Sequence, residues 1–94
     1  MALETTPFDM AEMLDSEEVI EAYFAQIMAD GDADEIIRAL GHIARARGMT
    51  KLAEETGLGR VSLYKALSPG ALPRFDTILK VTRALGLKLT VAHA

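Results

Sequence analysis

Arg60, Ser62, Tyr64 and Lys65 stand close together in the stretch LGRVSLYKALSPG, residues 58–70. A guanidinium offers a planar fork of donors that fits a phosphate or a guanine edge. A hydroxyl serves a base or a phosphate, and an ammonium grips a phosphate as a point charge. Catalysis is not what these residues suggest. Ser62 has no His-and-acid arrangement near it to make it a nucleophile. The chain has no Cys, so it has neither a disulfide framework nor a thiolate metal site. Its two histidines, His42 and His93, are too few and too far apart for a metal centre. No paired-carboxylate constellation is visible. The expectation is a binding protein that is not an enzyme and uses no cofactor or metal.

The element that must position these side chains is a pair of short helices. The run TKLAEETGLGRVSLYKAL, 50–67, has the layout of a helix-turn-helix. Ala53 is the small residue on the first helix that lets the second cross closely. Gly57, four residues later, falls at the turn, where a positive φ is usual. Leu58 plugs the corner, and Leu63 and Leu67 pack the second helix down. The outward positions then follow from the helical period. Arg60, Val61 and Ser62 face base edges in a major groove, with Val61 suited to a thymine methyl. Tyr64 and Lys65 face backbone phosphates, as do Thr50 and Lys51 at the start of the preceding helix. Arg74 begins another helix, where free N–H groups favour an anion.

Charge supports a nucleic-acid partner once it is read by segment. The 94-residue chain carries a formal net charge of −4. Residues 1–35 hold 11 acidic residues and no Lys or Arg, whereas residues 36–94 hold 3 acidic and 10 basic ones. The body at +7 suits double-stranded DNA. The acidic third is either a solvated face or a surface for a basic partner. No apolar run approaches the roughly 20 residues of a membrane span. The N-terminus lacks the basic start of a signal peptide. A soluble cytoplasmic protein, associated with the nucleoid, is expected.

The remaining elements follow from period and punctuation. Residues 1–8 read as an extended arm, and Asp9 as the cap of a short turn over MAEML. Asp15 and Glu18 form a capping-box pattern before an apolar stripe of Val19, Ile20, Tyr23, Phe24, Ile27 and Met28. Asp32 and Glu35 repeat it before Ile36, Ile37, Leu40, Ile43 and Ala44. Arg45, Arg47 and Gly48 close that helix; the two arginines complement its dipole or reach phosphate. Pro73 suits the first position of the last helix, lined by Phe75, Ile78, Leu79, Val81, Thr82 and Leu85 and ended by Gly86. The tail alternates Leu87, Leu89 and Val91 with Lys88, Thr90 and Ala92, which is the period of a strand. A lone strand is best paired with its own copy, so Leu87, Leu89 and Val91 are the expected dimer contacts.

The expected fold is all-α, about five helices with one short C-terminal β-strand. It forms a single domain: an acidic arm and helix over 1–35, the helix-turn-helix core over 36–86, and the strand over 87–94.

The run ALGHIARARGMTKLAEETGLGRVSLYKALSPGALPRFDTILKVTRALGLKL is similar to the addiction-module antidote proteins. These are small λ-repressor-like helix-turn-helix antitoxins of type II toxin–antitoxin systems. The GMTKLAEETGL start, the LYKALS block and FDTILKV carry the resemblance. The upstream acidic and ALGHIARA blocks extend it over residues 8–90. It implies a homodimer that binds operator DNA, represses its own operon and pairs with a neighbouring toxin of the RelE-like ribonuclease class. Gly59 departs from the pattern, which often has Ser there. That loses a better cap at a cost of only a few tenths of a kcal/mol.

Overall fold

In the computed structural model, which describes residues 10–93, the chain forms six helices. They are α1 (Met10–Met13), α2 (Glu17–Asp30), α3 (Ala33–Arg47), α4 (Met49–Thr56), α5 (Arg60–Ala66) and α6 (Phe75–Ala84). The expected arm over 1–8 and the Asp9 cap lie outside the described residues.

The centre of the bundle is α3. Its stripe of Ile37, Leu40, Ile43 and Ala44 is buried, and so are Ala39 and Gly41, so more than one face is covered. α1 and α2 pack on one part of it and α4 on another; α5 and α6 in turn pack on α4. Small residues make these approaches close. A Cβ on Gly41 would stand 3.1 Å from the carbonyl oxygen of Leu67, at the end of α5. One apolar core results, and it takes Ile20 and Phe24 from α2, Leu52 from α4, Leu63 from α5 and Val81 from α6. Each such side chain stabilises the fold by about 1.5–3 kcal/mol on full burial.

Helix boundaries follow local chemistry. At α3 the capping box forms as expected: Glu35 N–H donates to Asp32 Oδ1, and Asp32 N–H donates to Glu35 Oε1, each at 2.9 Å. At α2 the cap is Ser16 rather than Asp15. The Ser16 hydroxyl accepts from Val19 N–H at 3.2 Å. Both residue types cap well, so the sequence alone leaves a one-residue ambiguity. α6 starts at Phe75 with Arg74 as its cap residue, so Pro73 precedes the helix instead of opening it. Phe75 is 67% exposed and does not line the core, whereas Val81, Thr82 and Leu85 do. Burial raises the Tyr23 phenol above its ordinary value, and nearby Arg38 partly offsets this.

The C-terminal strand is not borne out. Among the described residues there is no strand, and 87–93 carries no regular element. A ladder needs a second strand, and none is present among the described residues. α6 ends instead in a Schellman turn. Gly86, at φ 78, donates to the Arg83 carbonyl at 3.1 Å, and Leu87 N–H donates to that of Thr82 at 2.9 Å. Leu87 and Leu89 then pack partly against the core, while Val91 is 100% exposed. The alternation is satisfied for its first two members, Leu87 and Leu89, which lie on the bundle.

Candidate nucleic-acid interface

The layout over 49–66 is a helix, a turn and a helix. α4 ends at Gly57, in the left-handed conformation at φ 76, with its N–H donating to the Ala53 carbonyl at 3.0 Å. Thr56 donates its hydroxyl to the Leu52 carbonyl at 2.8 Å and accepts from Leu58 N–H at 3.3 Å. The turn is therefore held by both backbone and side chain. α5 is only seven residues long and depends on tertiary anchoring. Leu63 at 0% exposure and Leu67 at 7% provide it.

With Leu63 inward, the expected readers face solvent. Arg60, Ser62 and Lys65 are exposed. Val61 is 68% exposed and Tyr64 46%. An apolar Val held that far into water is consistent with a contact made outside the chain. Below these residues, Ser68 donates its hydroxyl to the Tyr64 carbonyl at 2.6 Å and finishes the helix.

The other expected residues are distributed differently. Thr50 and Lys51 are exposed in the first turn of α4. Lys51 lines a shallow depression with Arg47, Glu55 and Leu85, so it lies toward α6. Tyr64 lines a separate depression with Gly41, Arg45 and Met49. Arg74 is exposed, but its Nε lies 3.4 Å from Asp76 Oδ1, which shares its charge. Leu87 and Leu89 line one depression beside α6, and Val91 is fully exposed.

One residue left undecided in the sequence acquires a position. Arg45 donates to His42 Nδ1 at 2.6 Å and sits beside Tyr64, flanking α5. Arg47 is engaged elsewhere, with Glu17 and the Leu85 carbonyl, each at 3.4 Å. The Arg45–His42 contact has the i, i+3 spacing of helix neighbours, whereas the approaches to Tyr64 and Glu17 join distant segments.

Helix starts differ between the two halves. α2 and α3 are capped by the side chains of Ser16 and Asp32. α4, α5 and α6 begin at Gly48, Gly59 and Arg74, none of which makes a side-chain cap bond. Their first N–H groups remain available to an external acceptor, for which phosphate is well suited.

These features describe a small all-helical protein with a short, anchored, outward-facing helix on a basic body. A family model described as probable addiction module antidote protein matches residues 4–93, and the chain belongs to that family. It is also 45% identical over 87 residues to a protein of Haemophilus influenzae (strain ATCC 51907 / DSM 11121 / KW20 / Rd), described as an uncharacterized protein. That match covers 93% of this chain and 90% of the relative. No solved structure matches. Among the described residues no helix is long and apolar enough to cross a membrane, and no cluster of His, Cys, Asp or Glu is arranged to hold a metal ion.

Proposed function

We propose that this protein is a homodimeric antitoxin that binds the operator of its own operon, represses it and neutralises a basic ribonuclease toxin. It acts by binding, without catalysis or a cofactor, in the cytoplasm and on the nucleoid. The observation that carries the DNA half is α5: Leu63 is fully buried while Arg60, Val61, Ser62, Tyr64 and Lys65 all face solvent. Arg60, Val61 and Ser62 read base edges; Tyr64, Lys65, Thr50, Lys51 and Arg74 position the backbone. Two copies place their reading helices about 34 Å apart, one turn of duplex. The test is a gel shift with the DNA upstream of the protein's own gene. A folded protein that shifts nothing at low salt is not an operator binder.

The acidic segment favours the toxin half. Glu17, Glu18 and Glu21 are exposed on α2, which carries no Lys or Arg. A ribonuclease grips phosphates with basic residues, so an acidic helix can occupy the same charges. On the alternative reading the basic partner is the main ligand and DNA is secondary. Co-purification with the product of the adjacent gene, from a variant that no longer binds DNA, separates the two roles.

A further inference from the structure

The three arginines of α3 go to different places. Arg38 lies near Tyr23 of α2. Arg47 reaches Glu17 of α2 and the Leu85 carbonyl. Arg45 turns toward α5, and Gly41 explains why. A Cβ on Gly41 would stand 3.1 Å from the Leu67 carbonyl oxygen, so its absence lets α3 press against the end of α5. Arg45 lies one helical turn further along the same face of α3. It lines a small depression with Tyr64 of α5 and with Leu67 and Ser68 just beyond that helix. Arg45 is exposed, and its Nη2 donates to His42 Nδ1 at 2.6 Å. An arginine can only donate, so Nδ1 accepts and does not neutralise the guanidinium. That bond uses one N–H of several. Arg47 and Arg74, by contrast, each stand 3.4 Å from a carboxylate. Among the described residues no carboxylate pairs with Arg45.

We propose that Arg45 and Tyr64 together clamp one backbone phosphate of the operator, and that His42 positions Arg45 for it. The inference rests on the operator reading of α5 and deepens it. The base readers occupy the N-terminal end of α5, at Arg60, Val61 and Ser62. Tyr64 lies on the flank beside them, where a helix seated in a major groove faces the duplex backbone. Tyr64 is 46% exposed and offers a single neutral hydroxyl. Arg45 adds a full charge and a planar fork that meets a phosphate with a pair of N–H groups. A free arginine side chain gives up rotamer freedom when it binds. The His42 bond removes much of that freedom beforehand, which is preorganisation in the ordinary sense. Lys51 lies toward α6, away from this depression, so the two cations reach different parts of the backbone.

Fluorescence anisotropy on the full chain tests it, with the duplex upstream of the protein's own gene and a scrambled duplex, each across a salt series. Arg45→Ala should weaken binding to both duplexes about tenfold, the scale of one charge-assisted contact. A phosphate contact carries no sequence information, so the preference for the upstream duplex should persist. The slope of log affinity against log salt should fall by about 1. Arg45→Lys keeps the charge and should keep the slope. Tyr64→Phe should cost less in the Arg45→Ala background than alone, because both side chains serve one phosphate. His42→Leu should weaken both duplexes about threefold through lost preorganisation, with the slope unchanged. His42→Gln should recover most of that, since its amide oxygen can accept the same bond. Circular dichroism confirms the helices in each variant. An Arg45→Ala variant with wild-type affinity and slope on both duplexes overturns the clamp and leaves the operator reading standing. Fully additive effects of the Arg45 and Tyr64 changes overturn the shared phosphate. A His42→Gln variant as weak as His42→Leu overturns the positioning role. A wild type that binds neither duplex overturns the clamp together with the reading it rests on.

Discussion

Asp34 Oδ1 accepts a hydrogen bond from the backbone N–H of Gly70 at 2.9 Å, between residues 36 positions apart. Asp34 belongs to the acidic third and lies in the first turn of α3; Gly70 belongs to the loop that leaves α5. The acid and the basic body are therefore joined just beyond the end of α5. A second, looser link runs from Glu17 to Arg47 at 3.4 Å, but that pair is solvent-exposed and contributes little.

Removing the Asp34 carboxylate leaves the Gly70 N–H without its protein acceptor and frees the loop. Asp34→Ala should cost about 1 kcal/mol in urea unfolding, the scale of one net hydrogen bond at a surface. The Glu17→Ala change should move the midpoint much less.

Leu63 and Arg60 stand three positions apart on α5 and have opposite burdens. Leu63→Ala removes a side chain with 0% exposure and should destabilise the protein by about 2–5 kcal/mol. Arg60→Ala should leave the unfolding midpoint nearly unchanged and weaken operator binding by about 1–3 kcal/mol. Paired unfolding and anisotropy measurements separate the two effects.

Much of this arrangement is legible in sequence, for physical reasons that differ by residue. The α3 capping box needs only Asp32 and Glu35 at the right spacing. Leu63 and Leu67 declare themselves by period. The strand reading fails because a two-residue alternation specifies which side chains face inward, not whether a ladder partner exists; Leu87 and Leu89 meet the bundle instead. Phe75 misleads because it lies at the edge of the apolar stripe of α6, where periodicity does not decide between core and surface. The Asp34–Gly70 bond and the placement of Arg45 beside Tyr64 join distant segments, and no local pattern encodes them.

Gly57 holds a demanding backbone conformation at the turn between α4 and α5. Its φ of 76 is costly for any residue with a Cβ, although a Cβ there would meet nothing within 4 Å. Gly57→Ala should therefore lose about 1 kcal/mol through backbone strain alone, measurable as a lower urea midpoint.

Tyr23 sets an alkaline limit. Its folded-state pKa is raised above 10.0 by burial, so the folded protein holds the phenolic proton more tightly than the unfolded chain. That contribution is fully present below pH 10.0 and is lost as pH rises through the folded value. Tyr23→Phe should flatten this part of the stability profile, read as the difference between the two proteins in urea unfolding from pH 8 to 11.

The toxin half is best tested by charge rather than by truncation. Deleting α2 would remove Ile20 and Phe24 from the core and unfold the protein. Glu18→Gln with Glu21→Gln keeps the helix and should weaken a complex with a basic toxin at least tenfold, as read by calorimetry. An unchanged affinity would place the toxin elsewhere.

The central claim is that α5 reads operator DNA, and fluorescence anisotropy on a duplex from the protein's own upstream region tests it most directly. Wild type is predicted to bind that duplex far more tightly than a scrambled one and to lose affinity steeply as salt rises. Arg60→Ala should erase most of the preference while remaining folded. Equal affinity for both duplexes, or an Arg60→Ala variant that discriminates as well as wild type, would contradict the account.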